Sequence, residues 1–80
     1  MARSLYDIAQ DIISDYADRG KSVHYAALPY VEAMLSLDTI DDYYGLDSGD
    51  SIVRYALSNL SSWRGEKARA IKAELRGMLK

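Results

Sequence analysis

The sequence predicts an all-α fold, and three observations carry that prediction. Apolar residues recur at spacings of three and four along most of the chain, as one face of a helix requires. Several of these runs open on a serine or aspartate suited to capping a helix, and glycines punctuate their ends. No segment alternates apolar and polar residues like a half-buried strand. The expected architecture is one domain over residues 1–80, a compact bundle of about four helices plus one short helical turn.

The first helix is the clearest. Ser4 is placed to cap it, with Asp7 as the reciprocal acid, and Leu5, Ile8, Ala9, Ile12 and Tyr16 form its apolar face. Asp7, Asp11, Asp15 and Asp18 make an acidic stripe expected to face water, and Gly20 supplies the left-handed stop. A second helix lies between Ser22 and Leu37, with Leu28, Val31, Met34 and Leu35 inward. Pro29 admits two starts: a helix beginning at Leu28, or a longer one broken just before the proline. A start near Val23 with such a break is preferred. Asp38 then caps a short helical turn, Thr39 to Tyr44, ended by Gly45. Asp47 caps the next helix, about Ser48 to Leu60, whose inward residues are Ile52, Val53, Ala56, Leu57 and Leu60. The last helix spans about Trp63 to Leu79, and its Ala68, Ile71, Leu75, Met78 and Leu79 fall within roughly 100° of arc.

Composition narrows the function classes. An apolar fraction of 49% suits a globular domain rather than a disordered one. With no cysteine there is neither a disulfide framework nor a thiolate metal site. The longest apolar run is about seven residues, Tyr25 to Val31, too short to cross a bilayer, and no signal peptide is expected after Arg3. No membrane partner is expected, and the small core makes self-association a candidate. His24 is the only histidine and is expected to be structural. The aspartates at 38, 41, 42, 47 and 50 do not follow calcium-loop spacing, so no metal is expected. There is no phosphate-binding glycine loop or nucleophile motif. The chain is therefore expected to be non-enzymatic and to need no cofactor.

Charge is the one feature that points to function. Up to Asp50 the chain has three bases against ten acids, a balance of −7. From Ser51 on it has seven bases against two acids, a balance of +5. A nearly neutral total hides separate acidic and basic surfaces, which select partners and steer encounter. On the last helix Arg69, Lys72, Arg76 and Lys80 share a stripe about 16 Å long, with Arg64 nearby. This is the first candidate binding site, for an acidic protein surface or for phosphates. The pI of 5.2 and the lack of a reading motif weigh against nucleic acid. The second candidate is the tyrosine-rich acidic face around Tyr43, Tyr44 and Asp47, because seven tyrosines and no phenylalanine suit interface anchors. Trp63-Arg64-Gly65-Glu66 is the most distinctive string, with Trp63 expected to wedge the last two helices together.

That string, continuing through Ala68-Arg69, Ile71-Lys72 and Glu74-Leu75, carries a resemblance, with Tyr25-x-Ala27-Leu28-Pro29-Tyr30, Tyr44-Gly45-x-Asp47-Ser48 and Ser51-Ile52-Val53-x-Tyr55. Together they resemble a group of small, mostly uncharacterised proteins encoded by tailed bacteriophages and prophages. The likeness runs from about Leu5 to Leu79. It implies a phage origin and action in the bacterial host cytoplasm. Small phage proteins of this kind work by stoichiometric binding of host proteins, including inhibition of host defence systems. The resemblance carries no active site with it. An accessory protein for nucleic acid and a sequestering protein for an anionic nucleotide are the alternatives.

Overall fold

A computed structural model describes residues 3–79. The described chain holds four helices and a two-stranded hairpin: α1 (Leu5–Asp18), α2 (Leu28–Met34), β1 (Tyr43–Tyr44), β2 (Asp47–Ser48), α3 (Gly49–Asn59) and α4 (Glu66–Met78). Helix α2 packs on α1 and α3, and α4 packs on the same two helices. Leu5, Ile8 and Ile12 of α1 meet Val31 and Met34 of α2, Val53 of α3 and Leu75 of α4 in one core. The radius of gyration, 11.4 Å, is close to the roughly 12 Å expected of a folded chain this long.

Helix α1 forms as the sequence predicts. The Ser4 hydroxyl accepts from the Asp7 N–H at 3.1 Å, and Gly20 turns the chain at φ +71°. Two further amides of the first turn find partners across the fold: Leu5 N–H donates to the Asp38 carbonyl and Tyr6 N–H to that of Leu37. The acidic stripe is not uniformly solvated, because Asp15 is 92% buried.

The preferred start of the second helix is corrected. Residues 25–27 form a turn and α2 begins at Leu28, with Pro29 in its first turn. A longer helix would place the proline ring against the Tyr25 carbonyl and strip a hydrogen bond from the ladder. At the helix start the missing N–H costs nothing. The His24 carbonyl instead accepts from the Ala27 and Leu28 amides. Leu28, expected inward, is 36% exposed, whereas Ala27 and Ala33 join the core.

The short helical turn after Asp38 is replaced by the hairpin. The Asp42 carboxylate, rather than that of Asp38, accepts from the Asp38 and Thr39 amides, both at 3.0 Å. The chain then reverses through Gly45 and Leu46, pairing Tyr43 with Ser48 and Tyr44 with Asp47. Gly45 has φ +64° at the first loop position, where the favoured hairpin turn requires glycine. Asp47 lies in β2 and does not cap α3. Ser48 does, accepting from the Ser51 N–H at 3.2 Å. Gly49 sits so close to the preceding turn that an added Cβ would lie 2.7 Å from the Thr39 carbonyl oxygen and 2.8 Å from the Ile40 Cα. Ile52, Val53, Ala56 and Leu60 point inward as expected, while Leu57 is only half-buried.

Candidate functional site

The basic stripe becomes a groove because the last helix starts later than its sequence suggests. Trp63, Arg64 and Gly65 are not helical, and Gly65 caps α4 with φ +120° and no side-chain hydrogen bond. The three residues swing across the first turns of α4. A concave space of about 230 Å³ remains, lined by Trp63, Arg64, Gly65, Arg69, Lys72 and Arg76. Among the described residues the lining thus carries four cations and no carboxylate. Among the described residues, none of these four cations makes an ion pair. Arg64, Arg69 and Arg76 are exposed and Lys72 is half-buried. Lys80 lies outside the described residues.

Trp63 anchors the groove to the core. The indole is 2% exposed and donates its Nε1 proton to Asp15 Oδ2 at 2.7 Å. Its ring stacks on Tyr16 with centroids 5.8 Å apart, so these two side-chain contacts tie it to α1 rather than showing the expected wedge between the last two helices. Asp15 also faces Arg19, Nη2 to Oδ2 at 3.1 Å. A Cβ on Gly65 would meet that same Arg19 Nη2 at 2.5 Å, so the absent side chain leaves room for the guanidinium. On the groove side, Lys72 Nζ donates to the Trp63 carbonyl at 2.5 Å and lies 5.8 Å from the centre of the indole ring. Burial lowers the Lys72 pKa, and the positive charges of Arg76 and Arg64 lower it further. The cations of the groove therefore act on one another.

Asp15 was hidden in the sequence among four stripe aspartates. A signal for it exists: Asp15 follows Ile8 and Ile12 at helical spacing, so it shares their apolar face rather than the outer one. Arg3 was also missed. It grips Glu74 through two hydrogen bonds, at 3.0 and 2.7 Å, and also pairs with Asp11, so it ties α1 to α4. Such a clamp joins residues 71 positions apart and leaves no local trace.

The second candidate face stands on the hairpin. Tyr43 and Tyr44 are exposed and Tyr44 pairs with Asp47, so the structure does bring these three residues together. Leu46 at the hairpin tip is fully exposed. His24 accepts from the Ala26 amide through Nδ1 and stacks on Tyr25. Among the described residues no three His, Cys, Asp or Glu side chains are grouped to hold a metal. No described helix is long and apolar enough to cross a membrane.

The fold and site define a small, mostly helical domain with a cation-lined groove anchored by a buried tryptophan. Comparison with family models, curated proteins and solved structures returned no match.

Proposed function

We propose that this chain is a non-catalytic binding protein that docks an acidic protein partner in the groove of Trp63, Arg64, Arg69, Lys72 and Arg76. One observation carries the reading: four cations, none of them ion-paired among the described residues, line a single concavity. Ordinary solvated faces intersperse charges of both signs, as the Arg54–Asp50 pair on α3 does. A protein partner is favoured over duplex nucleic acid for two reasons. The concavity accepts a local acidic protrusion, whereas a duplex presents extended rows of phosphate. The chain also carries a net charge of −2, with ten acids before Ser51 that would repel such rows. The resemblance to phage proteins supports a bacterial host protein as the partner, bound stoichiometrically in the cytoplasm, with a component of a defence system as the leading class.

The test reverses Arg64, Arg69 and Arg76 to glutamate. Lys72 is left intact because it braces the Trp63 carbonyl. The variant should melt close to wild type, and should lose the partner that wild type retains from host lysate in low salt. Binding by wild type should weaken as salt rises. Retention of the same partner by the variant would overturn the reading and move attention to Tyr43, Tyr44 and Asp47. Binding of duplex DNA at about 150 mM salt, lost in the variant, would establish the nucleic-acid alternative instead.

A further inference from the structure

Resting on that reading, we infer that the groove recognises a phosphoryl group carried by a side chain of the partner protein, in preference to a carboxylate. The first ground is donor number. Three guanidiniums and one ammonium line the groove. A carboxylate offers two oxygens and one charge, whereas a phosphoryl group offers three oxygens and about two negative charges at neutral pH. Lys72 spends one donor on the Trp63 carbonyl and keeps two. The planar guanidinium forks of Arg64, Arg69 and Arg76 suit bidentate contact with phosphate oxygens.

The second ground is the helix start. α4 is thirteen residues long, and its N-terminus bears on the groove through Gly65, without a side-chain cap. Its partial positive charge, offset in part by Glu66 in the first turn, adds to that of the four side chains. The third ground weighs against a nucleotide as the source of the phosphoryl group. A base is held by stacking on an exposed aromatic ring or on a guanidinium plane, and here the guanidiniums are taken up by the phosphoryl oxygens. Among the described residues Trp63 is the only aromatic side chain in the lining, and it is 2% exposed, with Tyr16 stacked on it. What fits is a small charged head on a slim stem, as on phosphoserine.

The experiment titrates the folded protein with three peptides identical but for one residue: phosphoserine, aspartate or serine, flanked by glutamates. Amide chemical shifts are read at constant ionic strength. The phosphoserine peptide should bind at least about tenfold more tightly than the aspartate peptide, as expected when charge-assisted hydrogen bonds are added. Shifts should centre on residues 63–76. Arg76→Gln should weaken phosphoserine binding by about tenfold or more, whereas Lys67→Gln, the same charge change outside the groove lining, should leave it within about twofold. Adenosine monophosphate should bind no better than inorganic phosphate. Equal affinity for the phosphoserine and aspartate peptides would overturn the inference and leave acidic docking standing. No binding by either acidic peptide would remove both. An equal loss in Lys67→Gln and Arg76→Gln would show diffuse attraction, and tighter binding of the nucleotide would assign the groove to a nucleotide. Either result overturns the inference.

Discussion

Removing the Asp15 carboxylate tests whether the groove is anchored as described. In Asp15→Ala the Trp63 N–H, in a site 2% exposed, loses its 2.7 Å acceptor. A buried donor left unpaired costs about 1–3 kcal/mol. The Arg19 partner is half-exposed, so its loss adds only about 0–1 kcal/mol. The expected total is about 1–4 kcal/mol, which for a chain this short lowers Tm by roughly 4–30 °C. Differential scanning calorimetry measures it. Trp63→Phe removes the donor while keeping most of the ring, and the two changes complete a double-mutant cycle. The coupling energy should be about 1–3 kcal/mol, since each single change removes the same bond. Strict additivity, or an Asp15→Ala variant melting within about 2 °C of wild type, would refute the anchor.

Three further outcomes are expected. Leu75→Ala, at a fully buried position, should cost about 2–5 kcal/mol in urea denaturation, and the half-buried Leu57→Ala clearly less; equal costs would contradict the burial order. Gly49→Ala should destabilise by about 1–3 kcal/mol or more, because its Cβ meets backbone rather than a movable side chain; thermal melting with no change would show that the hairpin can shift. The Arg3 hydrogen bonds hold the Glu74 pKa below its ordinary value. Its stabilising contribution is therefore complete above about pH 4.3, the ordinary glutamate pKa, and is lost as pH falls through the lowered folded value. Glu74→Gln should flatten that acid limb in a series of melting curves, and an unchanged limb would assign acid sensitivity to other carboxylates.

The sequence was legible where local rules and tertiary packing agree. Ser4, the apolar ladder of α1 and Gly20 marked one helix from end to end, and Ala68, Ile71 and Leu75 marked the inner face of another. Legibility failed where a distant contact decides. The 39–48 segment carries capping aspartates that read as a helical turn. Its course is set by Asp42 gripping two upstream amides and by Gly49 lying against Thr39 and Ile40. The turn signal at Gly45 was present, but two-residue strands are too short to show alternation. Of the candidate site, Arg64, Arg69, Lys72 and Arg76 were legible as charge, and the structure gathers them. Their enclosure was not, because it depends on a tryptophan bonded to an aspartate 48 positions away.

The placement of Trp63 gives the molecule a built-in optical reporter. It is the sole indole of the chain, wedged between the core and the cationic groove. A carboxylate on its nitrogen and an ammonium beside its ring fix the local field. An anion bound in the groove would alter that field, and so the emission, while the ring stays out of water. Unfolding wets the ring and shifts emission to the red. Occupancy and denaturation thus leave distinct fluorescence signatures in the unlabelled protein.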